Sequence, residues 1–328
     1  MSYSSSVQSK ADYNLAIVIP AFKAHFLKET MDALSNQTDR RFALYVSDDA
    51  SPHDLFSIVE PYGKQLQMHY HRFPDNLGGR DLVAHWRRSI DLTAGEPWIW
   101  LLSDDDIPSS NAVAAFYATL ERTAGAYDIY RFPVSWIGAD SKPCGPGYEF
   151  GHPQFESAYD FTLRRLSGEA YTCAQDHIFR RSIYERKGFV AFDLAWHSDT
   201  ATYINFAMEK GFYTISHGRL WFRQSGLNIS SRQEREILMR KLKAEVAFLD
   251  WVQSAFLGFP VGQTRQIARY AGAAAIVSVV RSKLSPLTKI YRSAAILPHI
   301  PISVWFWVCA HIFLKALAAI ERRLVRHD

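Results

Sequence analysis

The chain predicts an α/β fold, a mostly parallel sheet flanked by helices, followed by a helical region of different character. Three observations carry this. Short apolar runs alternate with amphipathic segments through the first hundred residues. Those runs are apolar at consecutive positions, as in strands buried on both faces. Charge is also uneven: residues 261–328 hold ten Lys/Arg against two acids, or +8, leaving −4 for the rest of a chain whose net charge is +4. An acidic body with a basic, apolar tail suits two physical tasks, the second at an anionic surface.

Residues 1–13 are polar and read as a flexible tail, with no apolar signal-peptide core. Residues 15–20 read as the first strand, ended by Pro20 where no ladder donor is needed. Over 25–37, Phe26, Thr30, Ala33 and Leu34 share a helical face. A strand over 42–46 runs into Ser47-Asp48-Asp49-Ala50-Ser51-Pro52. A short helix at 55–60 stops at Pro61, a strand covers 66–71, residues 76–80 form a turn, and 82–93 is helical. Strand 98–102 then ends in Asp104-Asp105-Asp106. Right-handed crossovers bring parallel strand ends to one rim, so Asp49 and the acidic triplet should share it. Beyond lie a helix at 111–123, a strand at 127–134, a Pro/Gly loop at 138–152, a helix at 155–166 and a strand at 177–180. A helix at 199–210 is ended by Gly211. Strands at 212–216 and 220–223 follow, and a helix at 232–253 leads into the tail. The expected division is 1–13, 14–232 and 233–328.

Three adjacent carboxylates at a strand end repel one another unless a cation offsets them. Mg²⁺ or Mn²⁺ takes oxygen ligands, commonly one or two carboxylates with phosphates completing the shell. The competing reading is a solvated turn capping the next helix. Three cysteines without CxxC spacing argue against a disulfide framework or a cysteine zinc site. The chain has no GxxxxGK[ST] loop, no GxGxxG after the first strand, no HExxH and no GxSxG.

Taken together, Ala16-Ile17-Val18-Ile19-Pro20-Ala21-Phe22, Val46-Ser47-Asp48-Asp49-Ala50-Ser51, Asn76-Leu77-Gly78-Gly79, Ser103-Asp104-Asp105 and the segment Phe222 to Ser230 resemble, in order and spacing, the motifs of family 2 glycosyltransferases with the GT-A (Rossmann-like) fold. The resemblance covers roughly residues 14–232. It implies an inverting, metal-dependent transfer of a sugar from a nucleoside-diphosphate sugar, UDP- or dTDP-linked, to a lipid-linked or cell-surface glycan. Donor contacts would come from Pro20, Asp49, Asn76, Gly78, Arg80, Asp104, Arg223 and Ser225. Asp105 would ligate Mg²⁺ or Mn²⁺, with Asp104 or Asp106 as further candidates. Asp199 would be the general base, and Trp196, His197 and Asp176 would meet the acceptor. Two departures stand out: Leu102 occupies the place of the first acid of an Asp-x-Asp pair, and Ser225 that of a histidine. Asp49 and Asp199 also suit helix caps, and Asp176 and Asp193 compete with Asp199 as base.

In the tail, residues 292–315 enclose 22 uncharged positions interrupted by Pro298 and Pro301, with Trp305, Phe306 and Trp307 among them. The 13 residues from 302 to 314 would make about 20 Å of helix, short of a bilayer core. An in-plane amphipathic anchor on anionic lipid, at the cytoplasmic face of the inner membrane, is the expectation, ahead of packing on the catalytic domain and of a true span, and nucleic acid is not an expected partner. The alternatives are a nucleotidyltransferase and a non-catalytic membrane-bound scaffold.

Overall fold

The structure, a computed structural model, describes residues 2–4, 14–144 and 151–281. The chain forms two compact units, Met1–Gln233 and Glu234–Asp328.

In chain order the first unit contains β1 (Ser2–Ser4), β2 (Leu15–Ala21), α1 (Leu27–Ser35), β3 (Phe42–Asp48), α2 (Leu55–Val59), β4 (Met68–Arg72), α3 (Leu82–Ile90), β5 (Trp98–Leu101), β6 (Ile107–Pro108) and α4 (Ala112–Arg122). Then come β7 (Ile129–Arg131), β8 (Val134–Gly138), β9 (Phe155–Glu156), α5 (Ala158–Ser167), β10 (His177–Arg180), α6 (Arg181–Lys187), α7 (Ser198–Ala207), β11 (Phe212–Thr214) and β12 (Leu220–Gln224). A nine-stranded sheet has the order β1-β4-β3-β2-β5-β10-β7-β11-β9, and a three-stranded sheet the order β6-β12-β8.

Strands β4, β3, β2 and β5 are parallel neighbours. Their apolar residues are sealed: Leu15 to Ile19 and Trp100 are wholly buried, and β3 is buried along its length. Pro20 fits because β5 pairs β2 only as far as Val18, so no partner on that side asks Pro20 for a donor. The inner face of α1 is Leu27, Thr30, Met31, Leu34 and Ser35, which keeps the expected Thr30 and Leu34 but not Phe26 and Ala33. Asp81 caps α3 by accepting from Ala84 N at 2.9 Å.

Several expectations change beyond β5. The 127–134 strand is two, because Pro133 breaks the ladder and β8 turns away to pair with β12. Residues 155–156 are strand rather than helix, paired antiparallel with β11. Ser2–Ser4, expected within a flexible tail, is an edge strand antiparallel to β4. Main-chain hydrogen bonds need no apolar side chains, so polarity hid it. After α7 the chain turns at Gly211, with φ +71°, where a Cβ would sit 2.7 Å from the Glu156 carbonyl. Only glycine fits there.

The second unit holds α8 (Arg235–Ala255) and α9 (Val261–Arg281). Phe256 and Phe259 pack ring to ring at their junction, and Thr264 donates to the Phe256 carbonyl at 3.0 Å. No helix among the described residues is long and apolar enough to cross a membrane. The expected anchor at 292–315 lies outside the described residues.

Candidate active site

Parallel pairing carries the ends of β2, β3 and β5 to one rim. The loop after β5 is held there by the residues following β2 and by β12. Asp104 accepts from the backbone N–H groups of Phe22 (2.8 Å) and Lys23 (2.7 Å), just past β2. Asp106 accepts from Arg223 N on β12 at 2.7 Å and from the Ser103 hydroxyl at 3.1 Å. The other carboxylate, Asp105, takes the Ser103 hydroxyl and the Lys23 ammonium. All three acids are at most 3% exposed. Burial pushes Asp104 up, against the nearby Lys23 charge that lowers it, and burial with the Asp105 charge pushes Asp106 well up.

Among the described residues no three His, Cys, Asp or Glu side chains form a metal cluster. Asp104 and Asp105 nevertheless converge on one positive charge, the Lys23 ammonium, 3.2 Å from Asp104 and in contact with Asp105. Two hard oxygen donors around a stand-in cation fit a divalent ion whose remaining ligands are phosphates and water. Asp106 does not join them, because its oxygens face β12 and Ser103.

Asp49, at the end of β3, accepts from Leu77 N (3.0 Å) and Gly78 N (2.7 Å) and contacts Arg88. It is thus a buried organiser of the Asn76–Gly79 turn. A Cβ on Gly78 would meet its Oδ2 at 2.7 Å, so the turn needs glycine. His85 Nδ1 lies 3.3 Å from Asp49, and burial pushes its imidazole down to about 4, so it is neutral. Asn76 accepts from Gly79 N at 2.6 Å. Arg80 is exposed and paired with Asp75 at 2.6 Å, away from the carboxylates of the rim.

Two expected donor contacts change character. Arg223 is wholly buried, with its guanidinium given to Asp105 O (2.8 Å), Gly138 O (3.1 Å), Ser141 (2.8 Å) and Glu29 (2.8 Å), over the Phe26 ring. It locks the acidic loop to β12 rather than facing a phosphate. Ser225 makes a local turn, accepting from Leu227 N at 3.2 Å beside Gly226 (φ +79°).

Asp199 lies in the first turn of α7, two positions past the cap residue His197, and ties that turn through its side chain. Its carboxylate accepts from Thr200 N at 2.7 Å. Burial pushes it above the ordinary carboxylate value, and the Asp176 charge adds to this. Just before it, Leu194, Ala195 and His197 all have positive φ (59°, 53°, 64°). Left-handed backbone costs a side-chain-bearing residue about 1–2 kcal/mol, so strain concentrates beside this carboxylate. Trp196 and His197 lie half-buried in the same stretch, with His197 Nδ1 3.4 Å from Arg165.

Asp176, expected at the acceptor, is instead sealed in the core. It takes Thr172 (3.2 Å), Cys173 N (3.4 Å) and the His177 ring, and so fixes the loop entering β10. Tyr171 lies in the loop before β10: burial raises its phenol well up, and the charges of Cys173, Asp199, Asp106 and Asp176 push the same way. Its ring packs against Trp136 of β8 and Phe222 of β12. Lys23 and Tyr171 are the residues that motif reading missed. The signal for Lys23 was its place directly after the first strand; Tyr171 sits in a loop without one.

The sequence profile of glycosyl transferase family 2 matches residues 16–186. That span holds Asp49 and the acidic triplet and ends before Asp199. The GalNAc(5)-diNAcBac-PP-undecaprenol beta-1,3-glucosyltransferase of Campylobacter jejuni is 26% identical over 233 residues, 66% of this chain and 68% of that protein. S. aureus TarS 1–349, solved with UDP-GlcNAc, superposes with a TM-score of 0.63 at 15% identity, over 88% of this chain and 82% of that one. The mannosyltransferase PcManGT from Pyrobaculum calidifontis, solved with GDP-Man and Mn²⁺, gives 0.50 at 15% identity, over 94% and 87%. At such identities the two structures establish the shared fold.

Proposed function

The chain belongs to glycosyl transferase family 2, and from that premise we propose that it transfers a sugar, with inversion, from a UDP- or dTDP-linked donor to a lipid-linked or cell-surface glycan. The observation that carries this reading is the convergence of the buried rim acids Asp104 and Asp105, at the end of β5, on a single cation, the Lys23 ammonium. Asp199, raised by burial at the start of α7, supplies a separate carboxylate.

In this reading Asp199 takes the proton from an acceptor hydroxyl as its oxygen attacks the anomeric carbon. The bond from that carbon to the donor diphosphate breaks, and the nucleoside diphosphate leaves with the electron pair. A base suits this task when its pKa approaches the working pH, and burial moves Asp199 in that direction. Asp49 and the Gly78 turn bound the base end of the donor, while Asp104 and Asp105 hold Mg²⁺ or Mn²⁺. The ion supplies Lewis-acid stabilisation of the leaving diphosphate. Trp196 and His197, in the strained stretch beside Asp199, are the acceptor-facing side chains. The relative in C. jejuni is named for an undecaprenol-linked substrate, which supports an acceptor of that chemical class. The basic second unit supports peripheral attachment to an anionic cytoplasmic leaflet.

A thermal-shift panel of UDP, dTDP, GDP and CDP, each with and without Mn²⁺, tests the donor reading. Stabilisation by UDP or dTDP that needs Mn²⁺ is the expected result. No response to any of the four overturns it.

A further inference from the structure

Lys23 stands where a divalent ion would have to stand. Its ammonium is 3.2 Å from Asp104 Oδ1, in contact with Asp105 Oδ2, and 3.4 Å from Asn228 Oδ1. An ammonium has three donors and no acceptor, so oxygens from two separate segments match its capacity. The side chain is 26% exposed and the two carboxylates 4%, so one face of the ammonium meets solvent while the acids do not. The backbone of Lys23 is pinned by its own N–H on Asp104, which leaves the flexible four-carbon stem as the part able to move.

We infer that Lys23 is an internal competitor for the cation site: it neutralises Asp104 and Asp105 while donor is absent, and the divalent ion enters together with the donor diphosphate, which takes over the ammonium. This rests on the metal-dependent reading above. Ammonium and divalent ion cannot both touch the same two oxygens, since like charges at that distance repel strongly in a buried site. A diphosphate resolves the conflict by supplying negative charge to the displaced lysine as well as ligands to the ion. The exchange also reaches the closing segment. Asn228 donates to the Arg223 carbonyl at 2.7 Å while accepting from Lys23 and, at 3.4 Å, from the Ser225 hydroxyl, so release of the ammonium frees one of its three side-chain ties. Nucleotide and ion therefore bind cooperatively, and Lys23 is the positioning residue that makes them so.

The test is a titration of Mn²⁺ followed by the electron paramagnetic resonance of the free ion, on the full chain, with and without UDP. Wild type is expected to bind Mn²⁺ weakly alone and much better with UDP. Lys23→Met should bind Mn²⁺ alone about 10-fold more tightly, with the enhancement by UDP reduced by about the same factor. Lys23→Arg, which keeps the charge, should behave as wild type. If Lys23→Met does not fold, Lys23→Gln makes the same comparison. Equal nucleotide-free Mn²⁺ affinity in wild type and the uncharged variant overturns the competition. No Mn²⁺ binding by either protein, even with UDP, overturns the metal-dependent reading beneath it.

Discussion

The half of the large sheet made by β4, β3, β2 and β5 and the half made by β10, β7, β11 and β9 both bury apolar side chains but place their charged groups differently. In the first, parallel strands of four to seven residues bury apolar side chains, and charged groups are held at the rim. In the second, strands of two to four residues carry ions into the interior. Arg131 is wholly buried, 2.5 Å from Glu156, against the rings of Phe161 and Phe212, and burial lowers its guanidinium to about 10. Arg164 reaches the same glutamate at 2.8 Å, and Asp176 holds His177. The contrast separates two uses of charge. Rim carboxylates can serve chemistry because they stand at the ends of the packed strands, whereas charges inside the second half are committed to partners within it.

The sharpest test of that division is Asp199→Asn. The Asn side-chain oxygen can still accept from Thr200 N at the start of α7, so the fold should survive while turnover drops about 10²–10⁴-fold, the usual contribution of a general base. Donor affinity, measured by nucleotide binding, should hardly change. Wild-type turnover should fall on the acid side as pH drops through a value above the ordinary carboxylate range, because burial raises Asp199 and protonation removes the base. Near-normal turnover in the variant would take Asp199 out of the mechanism.

Next in size, Asp105→Asn should weaken Mn²⁺-dependent nucleotide binding by at least ~10–100-fold, the loss typical of disturbed metal sites. Asp106→Asn should keep a substantial part, since Asp106 faces Arg223 N and Ser103. Equal losses in calorimetric titrations would mean that the ligand is misassigned.

In the second half, Glu156→Gln should act on stability instead. It leaves Arg131 buried without a counter-charge, a change that costs about 3–5 kcal/mol when a buried pair is broken. Burial would raise Glu156, but His152, Arg131 and Arg164 outweigh it and hold the carboxyl at about 2, below its ordinary 4.5. Its contribution is therefore complete above about 4.5 and lost as pH falls towards 2. Urea unfolding across that window should show a loss in wild type that the variant lacks. A variant as stable as wild type would erase the contrast between the two halves.

The smallest effect is expected from removing the second unit. A chain ending at Gln233 should bind UDP with Mn²⁺ within a few-fold of the full chain, because the rim acids and Asp199 all belong to the first unit. Failure to fold would show that the helical unit is part of the catalytic core.

Much of the first half was legible in the amino-acid order. Runs such as Leu15 to Ile19 and Trp98 to Leu102 announce buried strands on their own, because burial on both faces is a property of consecutive residues. Their alternation with helices fixes parallel connection, and parallel connection places Asp49 and Asp104–Asp106 on one rim. Tertiary structure alone decided which charge each acid meets. Lys23 and Asp105 are 82 residues apart, and Arg223 and Glu29 are 194 apart. No periodicity records that Arg223 and Asp176 are sealed structural groups while Asp105 meets a lysine with one face to solvent. Strands of two or three residues, such as Ser2–Ser4 and Phe155–Glu156, are equally silent in sequence: their main-chain hydrogen bonds ask little of side chains, and their partners lie far along the chain. Local order determines what is buried; the identity of a buried ion's partner depends on how distant segments close around it.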